Sequence, residues 1–186
     1  MIKYFKLKSL FALLILNILS LSGKGWFISV KEPSSGQHIT LVHIDDTKWM
    51  SDYKKKYKNL KGGSSSLRLN IKSALQRACA QFPFSSLVLQ TDHKSVYFGG
   101  PTIVQKILYN QHLRDLRNEI IKEITAQQID YSRSWNFSPH ITLQIKGVVI
   151  PQGKKIGDYA RAAQSSTFTI NSVEYNSPYE VISYNL

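Results

Sequence analysis

Two identical four-residue segments carry the side chains of this chain that are best suited to chemistry. His38-Ile39-Thr40-Leu41 and His140-Ile141-Thr142-Leu143 each place a histidine two residues before a threonine. Side chains at positions i and i+2 of a β-strand point to the same face, so an extended segment presents its His and Thr together and turns Ile and Leu toward the core. If the two strands belong to one concave sheet, two imidazoles and two hydroxyls converge on a single pocket.

These four side chains suit an in-line attack at phosphorus. One histidine can take a proton from the attacking oxygen while the other donates one to the leaving oxygen, because an unperturbed histidine titrates at about 6.5. Threonine hydroxyls can donate hydrogen bonds to the charged phosphate oxygens. His38 and His140 are therefore candidate catalytic residues, and Thr40 and Thr142 candidate phosphate ligands. A chance repeat of favoured strand residues is the competing interpretation.

The elements that must position these segments follow from hydrophobic periodicity and turn residues. Both copies fall on predicted strands, and a predicted helix follows each of them, which favours the functional interpretation. No linker rich in proline, glycine or charge divides the chain, so we expect one α+β domain over residues 23–186. Residues 61–66 are predicted as a flexible loop and 91–94 as the turn of a hairpin. The predicted strands are 26–30, 38–44, 86–90, 96–98, 140–145, 167–173 and 179–184, and the predicted helices are 47–60, 67–81, 102–128 and 156–164.

The N-terminus has the layout of a secretory signal peptide. Lys3, Lys6 and Lys8 precede an uncharged run over residues 9–22 that is rich in leucine and isoleucine and ends in small residues. That run is shorter than the roughly 18 to 20 residues that span a bilayer. We therefore expect residues 1–22 to be a signal peptide, cleaved near Ser22, and the protein to be exported to a periplasm or secreted. An uncleaved N-terminal membrane anchor is the alternative.

Composition limits the partners. Lysine and arginine number 24 against 12 acidic residues, a formal charge of +12, which favours anionic partners such as nucleotides, RNA or an acidic membrane surface without choosing among them. A hydrophobic content of 42% excludes disorder throughout. The single cysteine, Cys79, excludes an intramolecular disulfide and a multi-cysteine zinc site and is predicted as core. No metal-ligand spacing, phosphate-cradling glycine motif or nucleophile elbow occurs, so we expect no metal or cofactor. We also expect a monomer.

Further residues near the two segments are candidates for a role in binding. Tyr131, Trp135 and Phe137 precede the second segment and are candidates for rings on which a base stacks, with core or loop anchoring as the alternative. His43 follows His38 by an odd number of residues, so strand alternation predicts it on the opposite face, as a packing or surface residue.

The paired segments resemble the His-x-Thr-x signatures of the two-histidine (2H) phosphoesterase superfamily, which includes bacterial RNA 2′,3′-cyclic phosphodiesterases, also called 2′-5′ RNA ligases. Residues 26–30 are similar to the opening strand of that family, 138–143 to its second signature, and 168–186 to its closing strands. The segment between the opening strand and His38 is shorter than in the RNA-ligase-like members.

The resemblance implies a fold and an activity. The fold would be two lobes of antiparallel sheet and helix, related by a pseudo-twofold axis, with the signatures facing each other in a central groove. The activity would be metal-independent hydrolysis of 2′,3′-cyclic phosphates, 2′-5′ linkages, oligouridine ends or cyclic dinucleotides. We therefore expect an exported phosphodiesterase that acts on nucleotides or RNA ends.

Two alternatives belong to other classes of protein. One is an RNA- or nucleotide-binding module that has lost turnover. The other is an exported basic interaction protein with a coincidental repeat, in which His38 and His140 lie far apart.

Overall fold

A computed structural model of the chain describes residues 26–44, 63–97, 102–133, 136–144, 160–177 and 179–186. These residues form nine strands and two helices, which we number in chain order. The elements are β1 (Phe27–Lys31), β2 (His38–His43), α1 (Gly63–Gln81), β3 (Leu87–Tyr97), β4 (Ile103–Ile107), α2 (Gln111–Ala126), β5 (His140–Gln144), β6 (Ala160–Ala162), β7 (Thr167–Ile170), β8 (Ser172–Asn176) and β9 (Val181–Asn185).

The strands form two antiparallel sheets, and each sheet ends in a strand that carries one His-Ile-Thr-Leu segment. The first sheet has the order β2-β1-β8-β9. The second has the order β5-β4-β3-β6, and β7 pairs with the first half of β3. The edge strands β2 and β5 come within 8 Å of each other, Cα to Cα. The expected α+β class with two facing lobes is confirmed.

Both helices pack against each other, with α1 also against β8 and β9 and α2 against β2. Helix α2 buries Leu113, Leu116, Ile120 and Ile124 at spacings of three and four residues, which is one face of an α-helix. Asn110 caps its N-terminus, because the Asn110 side chain accepts a hydrogen bond from the amide of Leu113 at 2.9 Å. Buried apolar residues from both sheets and both helices form one hydrophobic cluster.

The sole cysteine, Cys79, is buried in this cluster, as its apolar-periodic neighbours predict. Burial raises the pKa of its thiol to about 11, so it remains a protonated, unreactive thiol at neutral pH.

The predicted helix over 102–128 is wrong in its first part, because Ile103–Ile107 is strand β4 and the helix begins at Gln111. Ile103 and Ile107 have helical spacing, but a short β-branched run fits a strand equally well. The segment forms a strand because β4 lies between β3 and β5 and is hydrogen-bonded to both. The predicted turn at 91–94 is also wrong, since β3 runs unbroken through it, with a register shift between Thr91 and Ser95.

The other differences lie at element ends. Helix α1 begins at Gly63, within the predicted loop 61–66. Within the predicted helix 156–164, the described part contains strand β6 instead. The predicted strand 167–173 is divided at Asn171 into β7 and β8, which join different sheets. The predicted helix 47–60 lies outside the described residues, as do residues 1–22.

None of the helices in the described ranges is long and apolar enough to cross a lipid bilayer.

Candidate active site

Strand β2 contains a β-bulge at the leucine of its His-Ile-Thr-Leu segment. Ser29 of β1 pairs with Thr40 and Ile28 pairs with Val42, so Leu41 is an extra residue without a partner on β1. A bulge changes the alternation of side chains beyond it, because two consecutive residues then face the same side. Leu41 and Val42 are accordingly both buried in the core, each with 3% of its surface exposed.

Strand β5 has the same irregularity at the equivalent residue. Val104 of β4 pairs with Thr142 and Ile103 pairs with Gln144, so Leu143 is the extra residue. The two segments therefore share their sequence, their place on a sheet edge and the position of their bulge. This correspondence gives the two lobes their pseudo-twofold relation.

The bulge brings His43 to the face that carries His38 and Thr40, so the prediction that His43 lies on the opposite face is wrong. His43 pairs with Phe27 and Thr40 pairs with Ser29, and Phe27 and Ser29 are two residues apart on β1. The Phe27 ring lies 5.7 Å from the His38 ring and 6.1 Å from the His43 ring, between centroids. All three histidine and threonine side chains of β2 thus share one surface.

A pocket lies where β2, β5 and the segment before β5 meet. It encloses about 770 Å³, counting space open to solvent. Among the predicted site residues, Thr40, His140 and Phe137 line it, whereas His38 and Thr142 lie outside its described lining, two residues along β2 and β5. The other lining residues are Leu41, Val42, His43, Arg117, Ser132, Asn136 and Ser138.

Of the remaining base-stacking candidates, Tyr131 forms an isolated bridge with Ile44 beside the pocket. Trp135 is outside the described residues.

His140 is held by the segment that precedes it. Its Nδ1 lies 2.8 Å from the backbone carbonyl oxygen of Ser138. Because a carbonyl can only accept, Nδ1 carries the hydrogen in this contact, and the neutral ring then has its lone pair on Nε2. A histidine in this tautomer is suited to accept a proton at Nε2.

His38 is held differently, by polar residues of the first sheet. Its Nδ1 lies 3.3 Å from Ser29 Oγ and 3.4 Å from Glu174 Oε2. Glu174 and Ser29 pair directly across β8 and β1. Asn176 donates a hydrogen bond from Nδ2 to Ser29 Oγ at 3.0 Å. Ser29, Glu174 and Asn176 are all buried, so a buried polar group supports the first histidine.

His43 lies close enough to His140 for their charges to interact. The pKa of His43 is lowered below its ordinary value, mainly because the side chain is buried and to a smaller extent because of the charge of His140. His43 is therefore neutral at physiological pH. The pocket thus contains two imidazoles, those of His43 and His140.

Arg117 brings a cation to the pocket from helix α2. Its Nε donates a hydrogen bond of 2.9 Å to the carbonyl oxygen of Leu41, the bulged residue. Its guanidinium lies 4.7 Å from the ring centroid of Phe137. The pKa of Arg117 is lowered, mainly by burial; the charge of Tyr131 opposes this change and the charge of Arg114 adds to it. The guanidinium still remains charged, as it does in proteins generally. The arrangement places a positive charge in the same pocket lining as Thr40 and His140.

A second, smaller pocket adjoins the first and shares Phe137 and Ser138 with it. The guanidinium of Arg114 lies 5.1 Å from the ring of Tyr109 and 5.8 Å from that of Phe137. Tyr109, which lines this second pocket, is 73% exposed.

Further cations flank the two motif histidines. Lys31 pairs with His38 and Lys106 pairs with His140, so each histidine has a lysine as its cross-strand neighbour on the same face. Such a surface attracts anions. In the described parts of the chain, no group of three His, Cys, Asp or Glu residues could hold a metal ion.

Sequence reasoning missed His43, Arg117 and Glu174. The parity argument misplaced His43, because the bulge has no sequence signal of its own. Arg117 lies on helix α2 between the buried positions Leu116 and Ile120, which belong to the predicted apolar face. A charged residue next to that apolar face was the sequence feature that could have identified it. Glu174 lies one residue beyond the predicted strand 167–173, between buried Val173 and Tyr175, and an acid among buried residues is rare enough to be informative.

Comparisons with known proteins give relatives by structure alone. No protein-family model matches the chain, and no curated protein sequence matches it. A solved phosphoesterase is similar with a TM-score of 0.51 at 11% identity, covering 88% of this chain and 95% of that one. Escherichia coli LigT, solved with 3′-AMP, has a TM-score of 0.49 at 12% identity, with 88% and 95% covered. The ns2 PDE domain of MHV has a TM-score of 0.43 at 12% identity, with 87% and 94% covered.

The chain therefore shares its fold with a solved phosphoesterase. Its two antiparallel sheets each have a bulged His-x-Thr strand at the edge that faces the other sheet.

Proposed function

We propose that this protein is a metal-independent phosphodiesterase that hydrolyses cyclic phosphate or 2′-5′ and 3′-5′ phosphodiester bonds of nucleotides or RNA ends. His38 and His140 act as acid and base, and Thr40 and Thr142 donate hydrogen bonds to the phosphate oxygens. The observation that carries the proposal is the pair of identical segments, bulged at the same residue, on two facing edge strands of a phosphoesterase fold.

Charge and aromatic surface support a nucleotide as the substrate. Arg117 beside the pocket, with Lys31 and Lys106 near the histidines, favours an anion. Phe137 lines both pockets, so a base could stack on its ring while the phosphate lies near His140. Neither the stacking on Phe137 nor the attraction of the phosphate to these cations depends strongly on which base is bound.

The placement of the two segments also bears on the alternatives. An interaction protein with a coincidental repeat would have the segments in unrelated parts of the fold, but β2 and β5 are neighbours. A binding module without turnover would keep the groove and the cations. Turnover distinguishes that module from the enzyme.

The decisive experiment is to incubate the purified protein with EDTA and 2′,3′-cyclic nucleotides, 2′-5′ oligoadenylate and cyclic dinucleotides. Each histidine should contribute about 10²- to 10⁴-fold to the rate, so His38→Ala and His140→Ala should each reduce turnover by that amount. His93→Ala is the matched control, because His93 lies on β3 with 73% of its side chain exposed. Full activity in either of the first two variants would refute the assignment, and binding without turnover in the wild type would favour the binding module.

We also propose that the protein is exported as a monomer after cleavage near Ser22. N-terminal sequencing of the protein from culture medium or periplasm tests the cleavage. A mature protein that still begins at Met1 in a membrane fraction would instead identify an N-terminal anchor.

A further inference from the structure

The two motif histidines differ in what holds Nδ1, and a buried carboxylate causes the difference. Glu174 is 8% exposed and lies on the same face of the first sheet as His38. Its Oε2 is buried, and no group in the described ranges donates a hydrogen bond to it with good geometry. The atom that faces it is Nδ1 of His38, at 3.4 Å. A buried carboxylate oxygen in this position is stabilised by a positive charge on the imidazole.

His140 has a neutral acceptor in the equivalent place. The carbonyl oxygen of Ser138, 2.8 Å from Nδ1, fixes the tautomer but carries no net charge. Nδ1 of His38 thus faces a buried carboxylate, whereas Nδ1 of His140 donates to a neutral carbonyl, so that the neutral His140 ring carries its hydrogen on Nδ1 and not on Nε2.

We propose that Glu174 is a positioning residue that keeps His38 protonated as the general acid, so that His140 is the general base of hydrolysis. This inference rests on the proposed function. In the step, Nε2 of His140 takes a proton from water as the water oxygen forms a bond to phosphorus. The bond from phosphorus to the leaving oxygen breaks, and His38 gives its proton to that oxygen. Solvent then takes the proton from His140 and gives a proton to His38.

Other charged groups around His38 modify this arrangement without reversing it. Lys31, the cross-strand neighbour of His38, has its Nζ 4.0 Å from Oε1 of Glu174 and offsets part of the negative charge. Lys31 is half exposed, whereas the Glu174 side chain is 10% exposed, so water screens the lysine more strongly. From the first sheet, Phe27, Ser29 and Asn176 are neutral, and from the facing edge His140 and His43 are the titratable groups.

The first test measures His38 directly by NMR titration of the full chain, with its resonance assigned by loss in His38→Ala. Glu174→Gln should move the titration midpoint of His38 to lower pH and leave that of His93 unchanged. Glu174→Asp, which keeps the charge one methylene further away, should restore part of the shift. An unmoved His38 midpoint in a folded Glu174→Gln protein would overturn the proposal.

The second test uses the leaving group. A p-nitrophenyl phosphodiester needs no proton on its leaving oxygen, so His38→Ala should lose less than about tenfold on it, against about 10²-fold or more on a nucleotide diester. His140→Ala should lose similar activity on both, because the water must still be deprotonated. The reverse pattern, in which the good leaving group rescues His140→Ala, would overturn the assignment of roles.

Glu123→Gln is the control for the loss of a buried carboxylate, since Glu123 pairs with Arg77 on the helices, 2.6 Å away, and not with the pocket. In active protein, Glu174→Gln should move the alkaline limb of the kcat/KM profile to lower pH, and Glu123→Gln should leave it in place. A wild type that turns over no ester while His38 responds to Glu174 would refute the proposed function alone. If neither the p-nitrophenyl diester nor the nucleotide diester is turned over, the NMR titration alone tests whether Glu174 holds the proton on His38.

Discussion

Arg117 connects the stability of the site to its charge, and its removal tests both. Its Nε donates to the bulge carbonyl of Leu41 at 2.9 Å, and its guanidinium lies 4.7 Å from the centre of the Phe137 ring. A hydrogen bond from a charged donor contributes about 1.5 to 3 kcal/mol, and a partly buried cation–π contact about 0.5 to 2 kcal/mol. Because the two contacts are not additive, we expect Arg117→Ala to lower the free energy of unfolding by about 2 to 4 kcal/mol.

The same substitution removes a cation from the lining of the pocket. Loss of one pre-positioned donor to a phosphate should lower kcat/KM by at least about tenfold on any nucleotide substrate. Arg117→Lys keeps the charge but not the planar fork, so we expect it to recover part of the activity and little of the stability. Urea denaturation followed by fluorescence gives the free energy, and initial rates at low substrate give kcat/KM.

Lys122→Gln is the matched control, because Lys122 lies on the exposed face of the same helix and pairs with Glu119 at 2.8 Å. It should leave both stability and activity unchanged. The reasoning would be refuted if Arg117→Ala unfolded within about 0.5 kcal/mol of the wild type and retained full kcat/KM, since neither the bulge nor the pocket would then depend on this side chain.

Three further predictions concern other residues of the fold and the pocket. Phe137→Leu should raise KM for nucleotides by about 5- to 150-fold, the equivalent of a lost stacking contact, while Phe84→Leu, an aromatic residue outside the pocket lining, should not; an unchanged KM would exclude stacking on Phe137. His43 has a lowered pKa, so the unfolded chain takes up the proton first and stability falls as pH drops below 6.5; His43→Asn should make denaturation between pH 7 and 5 less dependent on pH, and an unaltered slope would contradict this. Burial alone would raise the pKa of Glu32, but hydrogen bonds from Ser34 and Ser35 outweigh it and hold the pKa at about 2 instead of 4.5, so its contribution is present above pH 4.5 and is lost as pH falls toward 2. Glu32→Gln should therefore cost about 1 to 3 kcal/mol at pH 7 and nothing near pH 2, and a pH-independent loss would show that charge is not the cause.

Local sequence was sufficient where one element is amphipathic over its whole length. The buried stripe of α2 from Leu113 to Ile124 has a period that only a helix can satisfy. Strands β1 and β2 were predicted within one residue, because alternation and the turn after Pro33 agree. The repeated His-Ile-Thr-Leu itself was visible without any structure.

Tertiary pairing decided what short segments do. Ile103–Ile107 has too few residues for its period to distinguish helix from strand, and it becomes β4 because β3 and β5 supply hydrogen-bond partners on both sides. Thr91 has the neighbours of a turn residue, yet it is buried in β3, where Ser166 exchanges hydrogen bonds with it. The energy that selects these states comes from residues distant in sequence, which no local pattern contains.

The sequence by itself determined that two histidines and two threonines lie on two strands with one spacing, because a period of two is a property of the extended backbone. Only the tertiary structure decided which other groups meet them. The extra residue at Leu41 turns His43 toward His140, the register of β8 brings Glu174 to His38, and the packing of α2 brings Arg117 to the bulge. Each of these contacts depends on strand register or helix packing, which long-range partners set and local sequence does not.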